Sequence, residues 1–171
     1  MVKWFGALCI FLSSGWLGME ISRKMAERTR QLRLFIAALE SLEAEILFGH
    51  FHLQAASQRI AKQIEKPIGT FFELFANKLA KDDVTAKEAW KESLEEHWNQ
   101  TALSKAEWEI LLQFGETLGR HDINQQQKQI RLAIHHLGRE EKESYRRQST
   151  YGKIANNIGF LSGLLLILLL L

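Results

Sequence analysis

The chain begins and ends with apolar runs that contain no charged side chain. Residues 4–19 read WFGALCIFLSSGWLGM, and residues 154–171 read IANNIGFLSGLLLILLLL. A helix rises about 1.5 Å per residue, so each run is close to the length that crosses a hydrocarbon core of about 30 Å. We therefore predict transmembrane helices over residues 1–22 and 154–171, with a separate domain over residues 23–153. A cleaved signal peptide is the alternative for the first run, but we find no small-x-small cleavage site followed by a sequence typical of exported proteins.

The flanking charges predict the orientation of these helices. Lys3 is the only Lys, Arg, Asp or Glu before the first run, and none follows the second run. The inner flanks are basic and carry Arg23, Lys24, Arg28, Arg30, Arg33, Arg146, Arg147 and Lys153. Because basic residues are retained on the cytoplasmic side, we expect the 23–153 domain to face the cytoplasm and its basic ends to contact anionic membrane lipid. Gly159 and Gly163 form a GxxxG pair, but glycine is common in membrane helices, so the spacing does not decide whether the two helices pair.

Between the two runs, apolar residues recur at intervals of three and four, which is the period of an amphipathic helix. Six such segments follow one another, and none alternates as a strand would. Their apolar faces include Leu32, Phe35, Leu39, Ile60, Phe71, Phe72, Phe75, Trp90, Leu94, Trp108, Phe114, Ile130 and Leu137. Short connections favour antiparallel neighbours, and an even number of helices returns the chain to the side it left. We predict an all-α fold, a six-helix antiparallel cytoplasmic bundle between N-terminal and C-terminal transmembrane helices.

Local signals mark the ends of these helices. Pro67 is expected in the first turn of the third helix, where its missing N–H costs no hydrogen bond. Ser104-x-x-Glu107 matches a capping box that opens the fifth helix, and Gly119 is placed to end it. Asp122 fits the N-cap of the last helix.

The last helix is predicted to present a solvated polar face. Arg139 and Glu143, and also Glu143 and Arg147, are spaced for ion pairs one turn apart. The Gln125-Gln126-Gln127 run reads as helix surface.

Composition and motifs argue against an enzyme and against a nucleic-acid-binding protein. The formal net charge is only +2, which is too small to indicate a nucleic-acid-binding protein. Cys9 is the only cysteine, so there is no disulfide framework and no cysteine-based metal site. The sequence contains no phosphate-binding Gly-rich loop, HExxH, CxxC or nucleophile elbow. His135 and His136 are adjacent, so a helix would direct their rings about 100° apart rather than at one metal ion. We predict no catalytic residue, metal, cofactor, small-molecule substrate or nucleic acid.

Two polar clusters are candidates for contact with a partner protein. Glu116, His121 and Asp122 surround Gly119 at the corner between the fifth and sixth helices, where exposed loop residues often carry function. A cap-and-turn role is the alternative interpretation of that corner. The second candidate is the acidic part of the first helix, with Glu43 and Glu45 on different sides of the helix.

Motifs distributed over the whole chain carry a resemblance to a known family. They are Arg30-Gln31-Leu32-Arg33, Ala38-Leu39-x-Ser41-Leu42-Glu43-Ala44-Glu45-Ile46, Gly49-His50, Phe114-Gly115-Glu116-Thr117-Leu118-Gly119 with His121-Asp122, and the leucine-rich tail. In combination they resemble the stage III sporulation protein AB family of endospore-forming bacteria. Phe51-His52 before Leu53 departs from the proline expected there and affects only the start of the second helix.

The resemblance implies a membrane platform or adaptor subunit of the mother-cell sporulation channel, located in the outer forespore membrane. Such proteins are similar to one cytoplasmic domain of the inner-membrane platform protein of type II secretion and type IV pilus machines. The implied partners are a secretion-type ATPase homologue and other stage III sporulation membrane proteins. The sequence does not determine whether the chain also forms a homo-oligomer. A platform-like subunit of a pilus or competence system is one alternative, which a duplicated domain and more membrane helices would favour. A membrane-bound hydrolase is the other, and the missing motifs argue against it.

Overall fold

In the computed structural model the chain folds into α-helices joined by short connections. The helices are α1, Val2–Phe48; α2, Leu53–Gln63; α3, Ile68–Leu79; α4, Ala86–His97; α5, Lys105–Gly115; and α6, Ile123–Leu170. One turn of 3-10 helix, Trp98–Gln100, follows α4. Apart from the helix bounds, the structure describes residue 20 and residues 22–47, 52–81, 83–119 and 123–150, including their side chains. No strand occurs among them, so the prediction of an all-α fold with six helices is confirmed.

The predicted transmembrane segments, residues 1–22 and 154–171, lie almost wholly outside the described residues. Where residues are described, no helix is long and apolar enough to cross a membrane. The chain divides into two compact units, one formed by Met1–Glu27 with Glu143–Leu171 and the other by Arg28–Lys142. The second is called the bundle unit below, because it contains α2 to α5 and the adjoining parts of α1 and α6.

In the other unit, the described part of α6 has the local pairing expected of a solvated helix. Arg147 Nη2 donates to Glu143 Oε1 one turn before it, which confirms one of the two predicted ion pairs. The hydroxyls of Ser149 and Thr150 each donate to the carbonyl oxygen of Arg146 at 2.9 Å.

The core of the bundle unit is built around the indole ring of Trp90 on α4. Its ring centroid lies 4.8 Å from that of Phe71, 5.0 Å from Phe75 and 5.1 Å from Phe114, all in edge-to-face geometry. Edge-to-face pairs place the positive rim of one ring against the negative face of the other, which adds to the burial of apolar area. Trp90 is fully buried, and its Nε1–H donates to the carbonyl oxygen of Leu111 at 2.8 Å. The prediction that Phe71, Phe72 and Phe75 belong to an apolar, inward face is confirmed.

The second tryptophan of the apolar pattern is less deeply placed than the sequence suggested. Trp108 is only partly buried, and its ring packs edge-to-face on Trp98 with a centroid distance of 4.8 Å. Leu111 and Phe114, later in α5, are buried and contact Trp90, whereas Trp108 lies at the margin of the core.

Ion pairs show that α1 and α6 run antiparallel in the bundle unit. Arg33 of α1 donates through Nε to Glu141 Oε1 of α6 at 2.7 Å. Glu43, ten residues later in α1, accepts through Oε1 from Nε of Arg131, ten residues earlier in α6, at 2.6 Å. Because both helices rise about 1.5 Å per residue, equal steps in opposite directions keep the two side chains opposite each other.

Capping explains where α4 and α5 begin. The Ser104 N–H donates to the Glu107 carboxylate, so the predicted capping box is formed. A second box, unnoticed in the sequence, precedes α4: the Thr85 N–H donates to Glu88 Oε2 at 3.0 Å, and the Glu88 N–H donates to Thr85 Oγ1 at 3.3 Å. Hydrogen bonds from the Thr85 hydroxyl and then its backbone lower the pKa of Glu88. Both boxes satisfy N–H groups that the helix cannot satisfy itself.

Two expectations from the sequence need correction. Helix α5 ends at Gly115 rather than next to Gly119, because three residues of turn intervene before Gly119 takes the left-handed conformation at φ 74°. Gln126 is buried rather than on the surface, and its Nε2 has no hydrogen-bond partner among the described residues. It lies four residues before Ile130 and so shares the inward face of α6.

Candidate functional site

The corner after α5 is built mainly for packing. The ring of Phe114 lies against Trp90, and Leu118 is buried. A Cβ atom on Gly115 would stand 2.2 Å from Trp90 Cδ1, so only glycine lets α5 approach α4 this closely. The positive φ of Gly119 also favours glycine, because side chains with a Cβ rarely adopt it. Most of the Phe114–Gly119 motif therefore serves the fold.

Glu116 is the member of this motif that points outward. Its side chain is 48% exposed, and its carboxylate pairs with Lys87 Nζ of α4 at 2.5 Å. The backbone N–H of Glu116 donates to the Leu112 carbonyl at 3.2 Å, which closes the last turn of α5 without using the side chain. The carboxylate is thus available at the surface and is not needed for capping. The other predicted corner residues, His121 and Asp122, lie outside the described residues.

The acidic residues of α1 are engaged inside the bundle unit. Glu43 Oε1 accepts from Gln127 Nε2 at 2.8 Å and from Arg131 Nε at 2.6 Å, both on α6. Glu45 Oε1 pairs with Arg59 Nη1 of α2 at 3.3 Å. The two carboxylates point to different neighbours, as predicted, and each would have to leave its present partner to contact another protein.

A buried polar cluster joins three helices at the start of the bundle unit. Arg28 of α1 donates through Nη2 to Glu107 of α5, to Glu140 Oε2 of α6 at 3.3 Å and to Ser104 Oγ at 3.2 Å. The Glu107 side chain is 0% exposed, and those of Arg28 and Glu140 are each 18% exposed. Next to it, the buried Gln31 accepts through Oε1 from the Ala102 N–H at 2.7 Å. A buried carboxylate requires such a partner, because an unpaired charge in the interior is costly.

Sequence reasoning assigned Arg28 only to the basic membrane flank and missed this cluster. Its partners are 79 and 112 residues away in the chain, and no local pattern links them. The one usable signal was Glu107, since a capping-box carboxylate on a helix that packs inward has a free oxygen that needs a second donor.

The outward side of α4 is acidic and half exposed. Lys78 of α3 pairs with Glu92 and Glu96, each at 3.1 Å, while Glu95 lies 3.9 Å from Lys91. Burial opposes the charged form of Lys78, but hydrogen bonds and charge from Glu96 and Glu92 outweigh it and raise the pKa of Lys78. These side chains form a charged surface on the bundle unit.

Neither the described histidines nor a small cavity in the bundle unit offers an arrangement of convergent polar groups. His97 is buried and its Nε2 lies 2.9 Å from the Pro67 carbonyl oxygen, while the rings of His135 and His136 are 5.9 Å apart and inclined by 76°. Among the described residues, no group of three or more His, Cys, Asp or Glu side chains is placed to hold a metal ion. The cavity is lined mostly by apolar side chains: Phe35, Phe71, Leu94, His97, Trp98, Thr101 and Leu103.

Comparison with known proteins gives consistent similarities. A family model described as stage III sporulation protein AB matches residues 3–171. The chain is 47% identical over 171 residues to stage III sporulation protein AB of Bacillus subtilis (strain 168), covering 100% of both sequences. A solved structure of stage III sporulation protein AB matches with a TM-score of 0.70 and 49% identity, covering 72% of this chain and 98% of that chain. These similarities agree with the resemblance carried by the sequence motifs.

Proposed function

The chain belongs to the stage III sporulation protein AB family, and from that premise we propose that it is a membrane platform or adaptor subunit of the mother-cell sporulation channel. A role connected with sporulation follows from the family itself. The proposal adds that the chain is a non-enzymatic subunit that couples a cytoplasmic secretion-type ATPase homologue to other stage III sporulation membrane proteins. The observation that carries it is family membership over residues 3–171.

The architecture of the bundle unit supports a scaffolding role. Its helices are fixed to one another by an aromatic core and by ion pairs at both ends of the α1–α6 contact. Such a rigid unit can hold a partner in a fixed position, which is the function of an adaptor. The basic residues beside residues 1–22 and 154–171 support membrane insertion with this unit facing the cytoplasm.

Glu116 is the corner residue best suited to contact the ATPase homologue. It is exposed, it extends from a turn that glycines and buried side chains hold in place, and its only described ion pair is with Lys87. A surface pair of this kind contributes about 0–1 kcal/mol, so breaking it does not endanger the fold. Partner binding can therefore be changed at this position separately from stability.

A pull-down with charge-reversed variants tests the proposal. We expect the full-length chain in detergent micelles to retain the purified secretion-type ATPase homologue of the same organism. Glu116→Lys should weaken this retention. Glu109→Lys should not, because Glu109 is an exposed carboxylate on α5 away from the corner; it also has a lysine partner, Lys105, at 3.9 Å. Circular dichroism melts of both variants should stay close to the parent.

The outcomes separate the parts of the proposal. If the parent chain does not retain the ATPase homologue, coupling to the ATPase is wrong. If it does and Glu116→Lys binds equally well, the contact lies elsewhere, and Glu43→Gln and Glu45→Gln are the next variants to test.

Membrane topology is tested independently. A reporter that is active only outside the cytoplasm, inserted next to Asp83 in the exposed connection between α3 and α4, should be silent. Strong reporter activity there would contradict the cytoplasmic placement, whatever the pull-down shows.

A further inference from the structure

One face of α6 in the bundle unit is basic and exposed, and it forms no ion pair with the described residues. It consists of Lys128, Leu132, His135, Arg139 and Lys142, spaced four, three, four and three residues apart, and is called the basic face here. All five side chains are exposed, and Leu132 is one of few large apolar side chains in this state, at 47%. The face spans about 21 Å along the helix.

The basic character of this face arises because the acidic residues of α6 within the bundle unit point the other way. Glu140 and Glu141 pair with Arg28 and Arg33 of α1. The bundle unit has six described arginines, and five of them each pair with a carboxylate. The sixth, Arg139, pairs with no described carboxylate. The outward side therefore keeps positive charge that the described part of the chain does not neutralise.

The same unit carries a complementary acidic face on α4. Four carboxylates, of Glu88, Glu92, Glu95 and Glu96, outnumber the two ammonium groups that pair with them, of Lys78 and Lys91. Glu88, Glu92 and Glu95 are exposed and follow one another at intervals of four and three residues. This spacing repeats that of His135, Arg139 and Lys142. Helices whose side chains recur at intervals of three and four can pack side by side along those rows, so the two faces can be laid against each other with charges in register.

We propose that the basic face of one chain binds the acidic face of a second copy. Such an interface joins two different surfaces, so a pair of chains keeps one free basic face and one free acidic face, and the contact can repeat to a ring or a row. Leu132, three residues before His135, adds an apolar side chain at one end of the matched rows. Two short helix faces bury less area than a stable dimer interface, so the association is weak and depends strongly on salt.

Swapping charges between the two faces tests this arrangement. Full-length chains carrying Cys9→Ser and Gln58→Cys are labelled with donor or acceptor dye at that exposed position and inserted together into phosphatidylcholine vesicles. Arg139→Glu with Lys142→Glu makes both faces acidic, and Glu92→Lys with Glu95→Lys makes both faces basic. Each double variant alone should associate at least about tenfold more weakly, because like charges then meet across the contact. A mixture of the two variants should restore energy transfer, because opposite charges meet again at every interface.

Matched controls separate this contact from a general effect of charge. Lys62→Glu with Lys81→Glu, and Glu40→Lys with Glu73→Lys, change net charge equally at exposed residues on other faces. Chains with these changes should associate like the parent. Lys78 keeps Glu96 as a partner when Glu92 is replaced, and a melt checks that each variant stays folded.

Three results would overturn the proposal. They are no energy transfer between parent chains above random colocalisation, equal losses in the controls, and no recovery in the mixture. If parent chains do not associate, and the variant with Arg139→Glu and Lys142→Glu no longer retains the ATPase homologue, the basic face binds the ATPase homologue instead. The pull-down with Glu116→Lys is independent of this experiment, so failure of either proposal is recognisable by itself.

Discussion

Adding a single methyl group at Gly115 should disrupt the centre of the core. A Cβ atom there would lie 2.2 Å from Trp90 Cδ1 and 3.0 Å from Cγ and Nε1, whereas carbon atoms in contact are about 3.5–4.0 Å apart. The indole must therefore retreat by more than about 1 Å. It cannot do so freely, because the rings of Phe71, Phe75 and Phe114 pack on it and its N–H is held by Leu111.

The size of the effect follows from three contributions. Overpacking a filled core costs about 1–3 kcal/mol. If the indole N–H loses the Leu111 carbonyl and stays buried, a further 1–3 kcal/mol or so is lost. Alanine in place of glycine stabilises a helix by at most about 1 kcal/mol, and by less at the last residue of α5. We expect Gly115→Ala to lower the free energy of unfolding by about 2–4 kcal/mol.

Gly138→Ala is the matched control, because it makes the same substitution where nothing lies within 4 Å of the new methyl group. It sits within α6 and should stabilise the chain by about 0.5–1 kcal/mol. Chemical denaturation of the full-length chain in detergent, followed by circular dichroism at 222 nm as the usual helix signal, measures both. Combining Gly115→Ala with Trp90→Leu should cost less than the sum of the two single changes. A Gly115→Ala chain as stable as Gly138→Ala would refute the close-approach argument.

Three further predictions concern charge, pH and packing. Glu107→Gln should cost about 1–3 kcal/mol because it removes the buried partner of Arg28, whereas Glu141→Gln, at a pair whose arginine is 59% exposed, should cost less than about 1 kcal/mol in the same denaturation assay. The folded-state pKa of Glu88 is lowered, so its cap contributes stability above the ordinary pKa of 4.5 and loses it as pH falls through the lower value. The difference in unfolding free energy between the parent and Glu88→Gln should therefore shrink between neutral and acid pH. A constant difference would contradict this prediction. Trp108→Ala should destabilise the chain by less than the roughly 3–5 kcal/mol typical of a fully buried ring, as judged by its unfolding midpoint, because Trp108 lies at the margin of the core.

The helical period was enough to predict which faces are buried, but not how deeply. Leu32, Phe35 and Leu39 are fully or almost fully buried, as their spacing indicated. Trp90 and Trp108 occupy equivalent positions in their apolar patterns, yet only one is at the centre. That difference depends on how α4 and α5 cross, which the sequence of either helix does not encode by itself.

Polar residues were harder to predict because their partners lie far along the chain. Arg28 fits a membrane flank by its position, and only the fold brings it to Glu107. Gln126 could have been found, since it precedes Ile130, Ala133 and Leu137 by steps of four, three and four, but its amide made the run read as surface. Of the predicted contact residues, Glu116 is exposed as expected, and its use by a partner stays a prediction.

The pairing of α1 with α6 determines how the bundle unit would respond to mechanical tension. The chain enters the unit at Arg28 and leaves it at Lys142, and Arg28 contacts Glu140, so entry and exit are neighbours. Force applied at these two points would separate the helices from that end, and their contacts would bear the load one after another, as in unzipping, rather than all at once. The buried Arg28 cluster is then the first point of resistance. Because Glu107 belongs to α5, this cluster passes the load to a third helix before the α1–α6 pair can open.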